Sequence, residues 1–238
     1  MPISRTNWAH RLALSSLVIS TSYVIALQAF RSSWYRDYLV HQLCAPKAPW
    51  RDHAAATLAS MGAEAQLLEG MRHPQEDVRD AARRALDAHW FQSAGVGAAR
   101  RLLQAEAASS QERHAEALQM LDEVVHAYPA FAEGWSRRAA VLWRMGRTGA
   151  CLQSCERALG LNHDLYGAWL GLAHCHMQLG DSSEARRSLK AYLALQPFDL
   201  VAVDSLQKCE RLAQLEEREY QLAVAGLEAA ASNKPEAE

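Results

Sequence analysis

Two groups of residues in the second half of the chain carry side chains suited to metal binding or redox chemistry. Cys151 and Cys155 lie four positions apart, so a helix would place both thiols on one face, as a metal site or a dithiol requires. The same spacing also suits packing between helices, because a buried thiol behaves as a small apolar side chain. We interpret both cysteines as packing residues.

The tripeptide His174, Cys175 and His176 has the composition of a zinc site. On a helix, however, residues two apart point about 200° away from each other, so the two imidazoles cannot share one ion. Cys175 falls at a core position, His176 falls where an aromatic side chain normally packs, and His174 is expected to face a groove of the helical array. We predict that none of the three is a metal ligand.

Motifs that would indicate an enzyme or a nucleic-acid-binding protein do not occur in the sequence. It contains no glycine-rich phosphate loop after a strand, no HExxH or GxSxG motif and no paired carboxylates. The formal net charge is −2, and the cationic residues form no basic stripe. Five cysteines at irregular spacing do not form the pattern of a disulfide framework. We predict no catalytic residue, cofactor, metal, nucleic acid or small-molecule substrate.

The elements that position these residues follow a period of 34. Trp135 and Trp169 are separated by this distance, and so are Gly146 and Gly180. Alanine is abundant, and strand-like alternation does not occur, which favours helix throughout. A fixed period of this length indicates helix–turn–helix units that bury their apolar faces against one another.

The period and its residues resemble the tetratricopeptide repeat (TPR). Trp135 and Trp169 match the aromatic at the fourth position of each repeat, and Gly146 and Gly180 match the turn glycine. The resemblance implies an all-α fold, a right-handed α–α superhelix (TPR solenoid). The uncharged stretch 12–30 adds a single hydrophobic helix at the amino terminus. The predicted segments are a degenerate repeat 98–131, repeats 132–165 and 166–199, a capping helix 200–231 and a disordered tail 232–238.

The first repeat departs from the pattern, and two short motifs predict where second helices begin. Arg101 replaces the aromatic and Glu112 replaces the glycine. Ser109 with Glu112, and Asp181 with Glu184, have the spacing of capping boxes, so we expect both pairs to open a helix.

The region 50–90 is predicted to form a helical cap before the repeats. Its blocks LASMG, LLEGMRHP and VRDAARRAL resemble the short HEAT-like repeat of phycobilin-lyase-type proteins, and an unrelated three-helix cap is the alternative. Gly62 is expected to end the first helix and His73–Pro74 the second. Either way the region is a packing element, and no lyase chemistry is implied.

The amino-terminal segment 1–36 is basic and contains an uncharged stretch, 12–30, flanked by arginines. As a helix this stretch spans roughly 28 Å, close to the ~30 Å of a hydrocarbon core. We predict a single-pass membrane anchor. An export signal that is cleaved off, an organellar transit peptide and a buried soluble helix stay open as alternatives.

The resemblance also implies that the first helix of each repeat lines a concave groove. Apolar anchors beside cations in this groove suit an extended or helical peptide with apolar residues and some negative charge. The same register adds Leu102, Leu103, Glu106, Glu133, Ser136, Gln178 and Asp204. The predicted binding residues are Arg137, Ala140, Trp143, Arg144, Leu170, His174, Met177, Lys208 and Arg211.

Two alternatives for the groove stay open: a solvated face that contacts nothing, and a face filled by the terminal helix of this chain. One subgroup of TPR proteins holds the terminal carboxylate of chaperones with lysine, asparagine and arginine. At the comparable positions stand Arg137, Leu170 and His174, without the asparagines, so we do not predict an adaptor of that kind.

The sequence therefore predicts a non-catalytic, membrane-anchored TPR scaffold or adaptor. It would bind partner proteins, either peptide segments or subunits of a complex, through the groove, and the membrane through residues 12–30. The alternative function is a structural accessory subunit of a larger membrane-associated complex.

Overall fold

The structure is a computed structural model that describes residues 32–232, including side chains except at 216 and 226–232. All regular secondary structure in this range is helical, which confirms the all-α class. The helices in this range are α1 Ser33–Leu43, α2 Ala48–Ser60, α3 Glu64–Gly70, α4 Glu76–Gln92, α5 Val96–Ser110, α6 His114–Ala127, α7 Ala132–Arg144, α8 Thr148–Leu161, α9 Tyr166–Leu179, α10 Ser182–Leu195 and α11 Leu200–Ser232.

The predicted anchor, residues 12–30, and the tail beyond Ser232 lie outside the described residues. Among the helices that are described, none combines the length and the apolar character that crossing a bilayer requires. By its internal contacts the chain divides into two compact units, Met1–His89 and Trp90–Glu238.

The core of the first unit is formed by apolar residues at helical spacing on α2, α3 and α4. Leu58, Leu67 and Leu86 are completely buried. Gly62, with φ of 67°, follows the end of α2 as predicted. Helix α3 ends at Gly70, ahead of His73–Pro74, because backbone hydrogen bonds to its last carbonyls already form a turn there. The HEAT-like relationship of this region stays a prediction.

The turns inside the predicted repeats of the second unit share one geometry. Gly146, between α7 and α8, has φ of 70°, and Gly180, between α9 and α10, has φ of 76°. The amide of Arg147 donates to the carbonyl of Leu142 at 2.9 Å, and the amide of Asp181 donates to that of His176 at 2.9 Å. This six-to-one bond around a left-handed residue satisfies carbonyls that the helix end leaves free. The 34-residue period is thus a period of backbone conformation.

The first repeat makes the same turn without glycine. Glu112 has φ of 62°, and the amide of Arg113 donates to the carbonyl of Ala108 at 3.0 Å. The capping box predicted at Ser109 and Glu112 is wrong, because Ser109 lies in the last turn of α5 and α6 begins only at His114. The second predicted box is confirmed in its capping bond: the Asp181 side chain accepts a hydrogen bond from the Glu184 amide at 3.1 Å.

The core of the second unit consists of two clusters of buried side chains, each of which joins neighbouring helical units. One cluster of buried side chains extends from Ala98 to Cys175, and a second joins Ala173 to Cys209 on α11. Small side chains such as Ala158 and Ala185 are completely buried and let the helices approach closely. Gly171 marks a close approach of α9 to α8, because a Cβ atom added there would lie 2.7 Å from the Cys155 Sγ.

Candidate functional site

The nine predicted groove residues all retain contact with solvent. Their spacing of three and four residues keeps those of each helix on one face. Residues 137, 170 and 174 are half-buried, and the other six are exposed. Leu102 and Glu133, which the same register placed in the groove, are buried with exposures of 0% and 6%, so that part of the prediction is wrong. Leu102, on α5, belongs to the first core cluster.

The structure brings four of the nine residues together around one depression of about 600 Å³. In it, the Trp143 indole on α7 stacks on the His174 imidazole on α9, with ring centroids 5.1 Å apart and an interplanar angle of 27°. Trp143 keeps 41% of its surface exposed and Met177 keeps 39%. We call this depression the trough, and its lining residues are His114, Trp143, Arg144, His174, Met177 and Gln178.

A second depression, of about 610 Å³, lies between α5, α6 and α7 and shares His114 and Arg144 with the trough. Arg137 and Ala140 line it. The remaining predicted residues lie elsewhere. Leu170 packs against the second core cluster, and Lys208 and Arg211, on α11, line neither depression.

The charges of the predicted cations differ in how far the chain itself compensates them. Arg137 forms ion pairs with Glu106 on α5 at 2.8 Å and with Glu133 on α7 at 2.6 Å. Lys208 is paired with Asp204 at 2.6 Å. Arg137 and Lys208 are therefore committed to partners within the chain.

Arg144 is held differently. Its guanidinium donates to the Ser109 hydroxyl at 2.7 Å, and among the described residues it forms no ion pair with a carboxylate. A neutral hydroxyl orients the guanidinium without cancelling its charge, and Arg144 therefore brings an uncompensated positive charge to the trough.

The imidazole of His174 is an uncharged part of the same surface at neutral pH. Burial lowers the pKa of His174 below its ordinary value, because the partly dry site disfavours the charged ring. A neutral imidazole stacks on the Trp143 indole as a flat, partly apolar surface. The trough therefore combines the aromatic and thioether surface of Trp143, His174 and Met177 with the positive charge of Arg144.

His114 is a trough residue that the sequence reasoning missed. It is the first residue of α6, whereas the prediction assigned the groove to first helices alone. Its Nδ1 is shielded from solvent and has no hydrogen-bond partner within the described part of the chain. Helical spacing offers no signal for this residue, since its position depends on how α6 packs beside α7.

A set of aromatic rings covers the amino end of α9. Trp90, which is 5% exposed, packs on Tyr166 with ring centroids 5.9 Å apart, and Tyr166 packs on Tyr192 at 6.4 Å. The Tyr192 hydroxyl donates to Asp199 at 2.6 Å. Trp90 and Tyr192 therefore cover the amino end of α9. The trough lies at the other end, toward the carboxyl ends of α7 and α9.

The two histidines of the zinc-like tripeptide have separate surroundings, as the sequence predicted. His174 stacks on Trp143, whereas the His176 Nδ1 lies 3.7 Å from an Asp181 carboxylate oxygen. Across residues 32–232, no group of three or more histidine, cysteine, aspartate or glutamate side chains is arranged to hold a metal ion.

Comparisons with known proteins agree with the repeat geometry. The family profile described as tetratricopeptide repeat matches residues 142–208. A TPR repeat-containing protein of Rhizobium etli is 28% identical over 110 residues, which cover 46% of this chain and 54% of the relative. The chain thus matches about half the length of this curated relative.

Two solved structures with low sequence identity are also similar. The first TPR of Spaghetti (RPAP3), solved with an HSP90 peptide, is 20% identical, with a TM-score of 0.48, and covers 49% of this chain and 93% of its own. The crystal structure of MamA protein is 14% identical, with a TM-score of 0.47, and covers 79% and 97%. The identification depends on the profile match, the curated relative and the repeated turn geometry. The chain carries tetratricopeptide repeats.

Proposed function

We propose that this protein is a non-catalytic scaffold that binds a segment of a partner protein in the trough. The observation that carries the proposal is the juxtaposition of exposed Trp143 and Met177 with the uncompensated charge of Arg144. Exposed aromatic and arginine side chains in a depression are the residue types that dominate binding energy at protein interfaces.

The chemistry of the trough describes the segment that would fit it. An apolar side chain would cover Trp143 and Met177, and a carboxylate would pair with Arg144. Arg137 is less suited to this role, because a ligand would have to displace Glu106 and Glu133 from it.

Site-specific photocrosslinking in cells tests this proposal. A photoreactive amino acid replaces Gln178 in the trough, and the matched control replaces Gln153, an exposed glutamine on α8 outside both depressions. We expect a crosslinked protein from position 178 that disappears when Trp143→Ala and Arg144→Ala are added. Crosslinks that persist in the double variant, or that arise equally from position 153, would refute binding in the trough.

A second candidate function is that of an accessory subunit built permanently into a larger complex. It is favoured by the exposed apolar side chains of α11, outside the trough, namely Leu212, Leu215, Tyr220 and Leu222. This function predicts that the isolated chain self-associates and that Leu212→Glu with Leu215→Glu abolishes its incorporation. A chain that is monodisperse alone, and whose partner capture depends on Trp143 and Arg144, favours the scaffold instead.

We also propose that residues 12–30 anchor the protein in a membrane. The support is the sequence of this uncharged stretch and its flanking arginines. Alkaline carbonate extraction of membranes tests the proposal with the full chain and with a variant lacking residues 1–36. We expect the full chain to stay in the membrane pellet and the shortened variant to be extracted. Extraction of both proteins would refute the anchor.

A further inference from the structure

Three cysteines of the second unit meet between α8 and α9. Cys151 and Cys155 lie on α8 and Cys175 on α9, and all three are completely buried. The Cys151 and Cys175 Sγ atoms are 2.7 Å apart, although the residues are separated by 24 positions in the sequence. Cys155 is directed toward Gly171 rather than toward a second thiol on α9.

We propose that Cys151 and Cys175 are an oxidation site that reacts with a hydroperoxide and forms a disulfide joining α8 to α9. The sulfur atoms of a disulfide are about 2.05 Å apart, so these two sulfurs have to move by only about 0.7 Å to bond. The cross-link would join the second helix of one repeat to the first helix of the next. The inference does not depend on binding in the trough.

The hydrogen bond between the two thiols indicates the order of the reaction. The Cys175 S–H donates to the Cys151 sulfur, so Cys151 is placed to attack. The Cys151 thiolate attacks one peroxide oxygen, the O–O bond breaks, and sulfenic acid forms with release of water. The Cys175 sulfur then attacks the sulfenic sulfur and a second water leaves. Two thiols and one hydrogen peroxide thus give one disulfide and two waters, with two electrons passing from sulfur to peroxide.

The surroundings of the thiols make the reaction slow and dependent on pH. The neighbouring Cys155 thiol, together with burial, raises the pKa of Cys151 to about 12, and the hydrogen bond to Cys151 and burial raise that of Cys175 further. Because the thiolate is the nucleophile, the rate should increase roughly tenfold per pH unit below that pKa. Hydrogen peroxide is small and uncharged, so a local separation of α8 and α9 suffices to admit it.

Peptide mapping after oxidation tests the proposal on the full chain carrying Cys44→Ser, which removes the exposed thiol. The protein is treated with millimolar hydrogen peroxide, quenched with catalase, denatured and alkylated. We expect two fewer alkylated thiols than in the untreated protein and a tryptic cross-link between the peptides containing Cys151 and Cys175, both reversed by dithiothreitol. Cys209, which is buried without a neighbouring thiol in the described structure, should stay alkylatable.

Two variants make the assignment specific, because Cys151 and Cys155 fall in the same tryptic peptide. Cys155→Ala should retain the cross-link, and Cys175→Ala should abolish it while circular dichroism shows an intact helical content. If Cys175→Ala fails to fold, the peptide map of the Cys155→Ala protein is sufficient, because in that variant a cross-link to the peptide of Cys175 must come from Cys151. Free glutathione in the same tube serves as the control that the peroxide is active. The proposal is overturned if Cys151 bonds to Cys155 instead. It is also overturned if the glutathione is oxidised while all four buried thiols are still alkylated.

Discussion

Trp135 and Trp169 occupy equivalent positions, because each indole N–H donates to a backbone carbonyl six residues earlier. The acceptor is Pro129 at 3.0 Å for the first tryptophan and His163 at 2.8 Å for the second. Because the acceptor is a backbone carbonyl, the hydrogen bond forms in both repeats, although the accepting residue is proline in one and histidine in the other. The side-chain contact therefore repeats with the backbone turn, and the two repeats are equivalent in both.

Replacing Glu112 with glycine should stabilise the protein by about 0.5–1 kcal/mol. A side chain with a positive φ is strained, and glycine adopts this conformation without a Cβ penalty. The matched control is Gly146→Ala at the equivalent turn, which should lose about 1 kcal/mol, because alanine would be strained there although no atom lies within 4 Å of its Cβ. Urea unfolding measures both changes. A loss of stability in Glu112→Gly would show that the side chain itself stabilises the turn.

Replacing Gly171 with alanine should destabilise the protein by about 1–3 kcal/mol. The added Cβ would lie 2.7 Å from the Cys155 Sγ, and a packed core accommodates an extra methyl group poorly. Gly160→Ala on α8 is the control, because its Cβ meets nothing within 4 Å and alanine is the better helix former. Adding Cys155→Ala should recover part of the loss. Equal stabilities of the two glycine variants would exclude a tight approach of α8 and α9.

Replacing Arg137 with methionine should destabilise the fold by about 1–3 kcal/mol, because it leaves the carboxylate of Glu133 buried without its cation. Adding Glu133→Gln should restore part of the stability. Lys208→Met, which removes an ion pair between two exposed side chains, should change stability by less than about 0.5 kcal/mol. If thermal unfolding shows equal effects of Arg137→Met and Lys208→Met, the ion pair between Arg137 and Glu133 does not stabilise the fold.

Stability should depend on pH through His174. Its pKa is lowered in the folded protein by burial, so below its ordinary value of about 6.5 the unfolded chain binds more protons than the folded one. The contribution of His174 is therefore complete above that value and is lost as the pH falls, by at most about 1.4 kcal/mol per pH unit.

Urea titrations of the wild-type protein and of His174→Gln at several pH values measure this contribution. Between pH 7.5 and pH 5, the free energy of unfolding of the wild-type protein should fall by more than that of His174→Gln. A difference that is constant over this range contradicts the assignment. Asp199, whose pKa is lowered by the Tyr192 hydroxyl and two backbone amides against the effect of burial, acts at much lower pH and does not interfere.

The repeat itself could be predicted from the sequence because its determinants are local. A glycine at a fixed position provides the left-handed turn, and a tryptophan at a fixed position reaches a carbonyl six residues away, so both recur every 34 residues. The separation of His174 from His176 was predictable for the same reason, since it follows from the geometry of one helix. The turn at Glu112 was recognisable by its position alone, although the capping box inferred there was wrong.

The composition of the candidate site depended on contacts between residues distant in sequence. Arg137 and Arg144 are alike in the sequence, but packing places two carboxylates beside Arg137. Within the described part of the chain, Arg144 meets a serine hydroxyl and no carboxylate at ion-pair distance. Likewise, His114 enters the trough from a second helix, and Cys175 meets Cys151 across the boundary between two repeats. Periodicity determines which face of a helix is apolar. The partner that each polar side chain meets is decided only when the helices pack, because it depends on distances between helices that no local pattern encodes.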